Sequence, residues 1–351
     1  MKSFEEASRT QPMQALANQL QEGRRVDEGY DSRQGPIHLR IYKDLEGTID
    51  LHIHSIPDAS PRLLDDIEVA AQAKAVKMTA VVLKCHATAT PDRAYIAQRA
   101  VGGGIEVYGI ICLNPAVGGM NPEAVRMAIR MGAKGVWMPS TWSKHNVQYM
   151  QLYRHPMGTE TLGRDPIEEG ETVLSKEAQI KPEVKEILAL VAEQDVMLST
   201  GHLSLNEAHM LIDEACQVGV KKLSVHTVNY HVMGYPLEDQ KILVQKGAFG
   251  EYGFTSLPYP IWEPADPSRR ISLDDVCRSI RNVGAEHCVL STDSGQVTSP
   301  PPIECMRLWI ELLRVKGVDQ EEIDTMTKLN PAKLLGLESR NPGNRGEMTP
   351  C

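Results

Sequence analysis

Eight short apolar runs, separated by helical or polar stretches, constrain this chain more than any other feature. They are IDLHIH (49–54), TAVVLKCH (79–86), EVYGIICL (106–113), GVWMPS (135–140), VMLSTGH (196–202), LSVHT (223–227), AFGEYGF (248–254) and CVLSTD (288–293). Helical patterns lie among them at 61–76, 121–131, 181–194, 205–218, 236–246 and 272–283. Strands that alternate with helices at this spacing imply βα units and a parallel sheet. Eight such units fit a (β/α)8 TIM-type barrel. A doubly wound open sheet is the alternative, but no GxGxxG turn follows any strand. With only 3 Phe in 351 residues, the core must be aliphatic, which suits buried parallel strands.

The barrel occupies 47–338. It is flanked by an N-terminal extension (1–46, with an amphipathic helix from Phe4 to Leu20) and a short tail (339–351). One segment breaks the repeat. After the fourth strand, residues 155–180 are too long for an ordinary βα loop, and EEGETVLSKEAQI within them reads as a small β-hairpin insertion. An insertion there would lie over the C-terminal face as a lid. TSLPYPIWEPADPSRR, after the seventh strand, is a second candidate cover.

A net charge of −9 with no Lys/Arg block argues against a nucleic-acid or anionic-membrane partner. MKSFEEASRTQPMQALANQL lacks the apolar core of a signal peptide, and no run approaches the roughly 20 apolar residues of a membrane span. The expected location is the cytoplasm. The 7 cysteines are scattered, with no CxxC pair, which argues against a disulfide framework or a zinc ribbon.

In a (β/α)8 barrel the chemistry sits at the C-terminal ends of the strands. The polar residues found there are His52 and His54, Lys84 and His86, His202, His226, and Asp293. Residues two apart on a strand share a face, so the HxH pair can reach one metal. His202 and His226 could hold a second ion. Asp293 can ligate a metal and take a proton from bound water. Lys84 is the odd member, because an ammonium beside metal ions is repelled. Either its amine is carboxylated and bridges two metals, or it stays cationic and binds a substrate anion. His86 could ligate, bind substrate or hydrogen-bond a loop. Trp137, Trp142, Tyr259 and Trp262 are candidates to line a substrate pocket, with Arg269 and Arg270 as candidate anion binders; surface or packing roles are equally open to each. Asp58 reads most simply as the cap of the helix that follows.

With His52 and His54 in DLHIH, His202 in STGHLS, His226 in SVHT, Asp293 in LSTDSG and the closing TKLNPAKLLGL (327–337), the chain resembles the amidohydrolase superfamily over about residues 47–338. VVLKCHATAT together with LSTGHLS is similar to an amidohydrolase-related branch. The resemblance implies one or two divalent metals (zinc first; manganese, iron or nickel also suit the ligands). It also implies metal-bound hydroxide attacking a C–N bond or ester of a small molecule, and a homo-oligomer. The superfamily's bridging lysine ends the fourth strand, where WMPSTW has none, so Lys84 would have to supply it. Two alternatives stay open. A PHP-type phosphoesterase also begins DLHIHS but lacks the closing helix, and some one-metal relatives decarboxylate or hydrate their substrates. A barrel that binds a ligand without turnover is a non-enzymatic fourth reading.

Overall fold

The computed structural model describes residues 42–153, 169–257 and 270–337. The N-terminal extension through residue 41, most of the insertion, Tyr259, Trp262, Arg269 and the tail lie outside the described residues. Eight parallel strands run in sequence order around one sheet: β1 (Ile49–His54), β2 (Ala80–Lys84), β3 (Glu106–Cys112), β4 (Gly135–Trp137), β5 (Met197–Ser199), β6 (Leu223–Val225), β7 (Ala248–Gly253) and β8 (Cys288–Ser291). Just beyond β8, Asp293 N–H donates to the His52 carbonyl at 2.9 Å and His54 N–H to the Ser294 carbonyl at 2.8 Å. These bonds join the last strand to the first, so the chain is the expected (β/α)8 barrel.

Helices cover the outer face: α1 (Asp66–Ala75), α2 (Pro91–Ala100), α3 (Pro122–Arg130), α4 (Lys144–Tyr153), α5 (Pro182–Glu193), α6 (Leu205–Val218), α7 (Leu237–Gln245), α8 (Leu273–Val283) and α9 (Pro302–Val315). Among these, α2, α4 and α9 were not anticipated. In α2 and α4 the apolar positions are few, and packing on the sheet stabilises them more than their own periodicity does. The first helix starts at Asp66 and not at 61, because Asp65 caps it in a capping box with Glu68.

The apolar core has two parts. One lies between sheet and helices. The other fills the lower barrel interior with Ile49, Leu51, Ala80, Val82, Ile110, Trp137, Met197 and Val289. Below it comes the closing segment, α10 (Gln320–Asp324), a π-helical turn and α11 (Asn330–Leu335). Leu334 and Leu335 join the interior cluster. Buried Asn330 donates through Nδ2 to the carbonyls of Ala285 and Cys288, at 2.9 and 2.7 Å. The N-terminal end of the barrel is thereby plugged with hydrocarbon. Of the insertion, the described residues make one isolated antiparallel bridge, Leu174 to Ile180, and a parallel one from Ser143 to Glu171.

Candidate metal centre

Strict alternation along β1 would put Leu51 on the face opposite His52. The strand avoids this with a register slip. Asp50 pairs with Val81 and Ile53 with Leu83, so three steps on β1 oppose two on β2. Such an irregularity re-aims side chains. Leu51 packs in the lower interior, while His52 and His54 meet Asp293 above it. The buried Asp50 carboxylate accepts the His52 N–H at 3.1 Å and binds Thr292 through both its N–H and its hydroxyl. The irregularity is thus satisfied by a side chain and stitched to the strand after β8.

Five imidazoles form a file across the mouth of the barrel. In the order His86, His54, His52, His226, His202, successive ring centroids are 4.8, 5.2, 5.0 and 5.1 Å apart. Glu251, inward-facing on β7 and 1 % exposed, lies beneath the middle of the file. Its Oε1 accepts from His52 Nδ1 at 2.8 Å and from Ser291 Oγ at 2.7 Å; its Oε2 accepts from His226 Nδ1 at 3.2 Å. Trp137 Nε1 lies 3.4 Å from that same His226 nitrogen, a packing contact once the nitrogen carries the proton given to Glu251. At the end of the file, His202 Nδ1 donates to Asn146 Oδ1 at 3.0 Å, and Asn146 Nδ2 donates to the Thr141 carbonyl, which fixes the amide's orientation. A carboxylate or carbonyl on Nδ1 leaves Nε2 with a lone pair, the usual way a ligating imidazole is held. Backbone geometry supports the placement. Gly201 precedes His202 with φ +57°, and a Cβ there would stand 2.3 Å from the Met138 carbonyl oxygen, so only glycine fits.

The Nε2 atoms converge. His52 Nε2 lies 2.9 Å and His54 Nε2 3.2 Å from Asp293 Oδ1. Once Glu251 holds the Nδ1 proton of His52, its Nε2 and Asp293 Oδ1 are two acceptors face to face. A proton or a metal cation between them resolves that contact. His54 Nδ1 is also buried without a hydrogen-bond partner among the described residues. Imidazole and carboxylate are the ligands of zinc and related divalent ions, so the residues fit a metal. Among the described residues, two sets have ligand atoms within 4.8 Å of one another: His52, His54 and Asp293; and His52, His226 and Glu251.

The electrostatics agree. Burial works to raise the Asp293 pKa, but the charge of His52 and the hydrogen bonds from His52 and His54 hold it well below the ordinary value. Burial likewise opposes ionisation of Glu251, and His226 and His52 outweigh it. His54 is pushed well down by burial and then by the Arg62 charge, and His202 by burial and then by His226. His226 falls to about 4, again through burial first and then Lys84. For His52, burial pulls downward, but Asp293 and Glu251 together win and the net shift is upward. Protonation is thus favoured at His52 relative to the other imidazoles of the file, which burial holds toward the neutral form.

Lys84, 1 % exposed, sets its Nζ 2.9 Å from His52 Nε2, inside the cluster. His86 belongs to the file without contacting Asp293. Its Nδ1 lies 2.7 Å from Ser140 Oγ, whose two lone pairs already accept from Asn114 Nδ2 at 2.9 Å and from the Cys112 thiol at 3.2 Å. Ser140 therefore gives its proton to His86, and His86 presents an Nε2–H. A cavity of ≈ 250 Å³ opens over the centre, lined by His54, Lys84, His86, His202 and Asp293 together with Arg62, Thr141, Tyr230, Ser256 and Thr298. Trp142 is buried outside this lining, as is Trp137, while Arg270 is exposed. Asp58 does not cap a helix. Its carboxylate accepts from Ser60 N–H and from Arg62 Nε, because the helix cap, Asp65, lies seven residues further on. The described part of the insertion does not line the cavity, whereas Thr255 and Ser256, at the start of the second candidate cover, do.

Sequence reasoning missed Glu251, Asn146, Asp50 and Arg62. For Glu251 a signal existed: an acid amid AFGEYGF, in a strand buried on both faces, must have partners.

Residues 47–251 match a family described as "Family of unknown function (DUF6282)". No curated protein sequence matches the chain. Solved structures share the barrel. A protein from Pseudomonas putida described as a 2-pyrone-4,6-dicarboxylic acid hydrolase aligns at TM-score 0.52 and 14% identity, covering 84% of this chain and 99% of that one. Its counterpart from Acinetobacter baumannii, with citric acid bound, aligns at TM-score 0.51 and 14% identity over 83% and 99%. A metallopeptidase, dipeptidase AC, aligns at 0.52 and 12% over 83% and 98%. At these identities the likeness is one of fold.

Proposed function

From a chain that belongs to the DUF6282 family of unknown function, we infer a metal-dependent hydrolase of the amidohydrolase superfamily, acting on a C–N bond or ester of a small molecule. The observation that carries this reading is the approach of His52 Nε2 and His54 Nε2 to Asp293 Oδ1. His52, His54 and Asp293 would hold one divalent ion; His202 and His226, with Lys84 if its amine is carboxylated, would hold a second. A bound divalent ion supplies Lewis acidity toward a carbonyl oxygen and lowers the pKa of water to about 7.

The remaining roles belong to the chain. The Asp293 carboxylate takes the proton of the attacking water and passes it to the leaving nitrogen or oxygen. His86, which lines the cavity, offers its Nε2–H to a substrate oxygen. Glu251 and Asn146 hold the ring orientations. The hydrolase and dipeptidase names of the structures sharing the fold accord with attack at a carbonyl centre. Asp293→Asn tests the reading on a panel of amides, lactones and esters: assayed with metal at saturation, turnover falls at least ~100-fold. Turnover at the wild-type rate would contradict the role given to Asp293. Carbon-13 NMR of protein prepared in labelled bicarbonate decides Lys84, where a carbamate resonance marks the carboxylated form.

A further inference from the structure

The cavity holds a cation that the metal centre does not use. Arg62 sits in the loop after β1, with its side chain 5% exposed. Asp58 takes its Nε at 2.9 Å, and the Asp58 side chain is itself only 1% exposed. Among the described residues, no acceptor takes the two Nη groups. Arg62 is also pinned by its backbone: it bridges to Gln296, and the Leu63 N–H donates to the Gly295 carbonyl at 2.9 Å. The guanidinium is thus a fixed fork with its terminal donors left over. It lines the same cavity as His54 and Asp293.

Other residues of the lining are also polar. The hydroxyl oxygens of Thr141, Ser256 and Thr298 are buried without a hydrogen-bond partner among the described residues, and all three residues line this cavity. Unpaired buried donors are costly unless a ligand completes them. The planar Arg62 fork, with its terminal donors left over at the cavity wall, matches a planar carboxylate. A phosphate dianion fits less well, because Asp58 already offsets part of the Arg62 charge.

We propose that this site selects substrates bearing a carboxylate, which Arg62 binds through its Nη groups beside the reacting carbonyl. The inference rests on the hydrolase reading for the position of the reacting group, but carboxylate binding at Arg62 does not require turnover. Asp58 is its positioning residue.

The test is calorimetric titration of the full chain, metal-free and zinc-loaded. The probes are succinate, glutarate and citrate; the uncharged diamides of the first two, and inorganic phosphate, serve as controls. Metal-free wild type binds at least one of the carboxylates roughly tenfold or more tightly than any control. Arg62→Gln removes that preference, with zinc content unchanged, and Arg62→Lys, which keeps the charge but loses the fork, falls between the two. If Arg62→Gln does not fold, the drop in Arg62→Lys and in Asp58→Asn carries the decision. Equal carboxylate affinity in wild type and the Arg62 variants overturns the proposal, as does equal affinity for the diamides or phosphate, or no carboxylate binding at all. A protein that binds carboxylates through Arg62 but takes up no metal would overturn the hydrolase reading and leave this one standing.

Discussion

The two ends of the barrel are built from the same strands and answer opposite demands. At the N-terminal end the inward positions are hydrocarbon: Ile49, Leu51, Ala80, Val82, Met197 and Val289, closed from below by Leu334 and Leu335. One step up the same strands they become His52, Lys84, Ser199, Glu251 and Ser291, all at most 1 % exposed. The lower end stabilises the fold by burial. The upper end gathers buried ionisable groups that satisfy one another only in part, an arrangement that costs stability unless a ligand completes it. Function is concentrated where the packing rules are broken.

Substitutions at each end should separate these roles. The largest effect is expected from His52→Ala combined with His54→Ala: metal binding at this centre is lost, while circular dichroism and the melting transition stay close to those of the metal-free wild type. Collapse of the fold would show that the upper end is structural. The converse change, Leu335→Ala, should cost about 2–5 kcal/mol in denaturant unfolding and leave metal content intact. Loss of metal from the folded variant would erase the distinction between the ends.

Smaller changes sharpen the account of the upper end. Glu251→Gln keeps the volume but removes the anion that holds two imidazoles, so metal affinity should fall about 10–100-fold by competition with a chelator. Affinity unchanged within twofold would reduce Glu251 to packing. The smallest effect is one of pH. The raised His52 pKa means that metal must displace a proton there, whereas His54 and His202 stay neutral to well below 6.5. Apparent affinity should therefore fall as pH drops, with net proton release on metal binding at pH 6.5 that diminishes as pH rises past the His52 pKa. Calorimetry in two buffers of different ionisation enthalpy reads that release directly. No proton release near pH 6.5 would contradict it.

Much of this architecture was legible in local pattern. The eight strands, their parallel order and the polar residues at their downstream ends follow from alternation and spacing, and the first strand, Ile49–His54, agrees residue for residue. What escaped depends on distance. Glu251 acquires its meaning from His52, 199 positions earlier in the chain. Asn146 sits on a helix whose sequence, KHNVQYMQLY, carries little periodicity. The register slip that lets Leu51 and His52 both face inward is invisible to a period-two reading. Arg62 and Asp58 looked like a helix start, because proline and aspartate mark helix caps as readily as loops.

The central claim is that the upper end is a metal centre assembled on His52, His54 and Asp293. Anomalous diffraction from a crystal of the zinc-loaded protein tests it most directly. The account predicts a peak within about 2.0–2.2 Å of His52 Nε2, His54 Nε2 and an Asp293 carboxylate oxygen. A map with no peak there, or with zinc only at surface histidines, would contradict it.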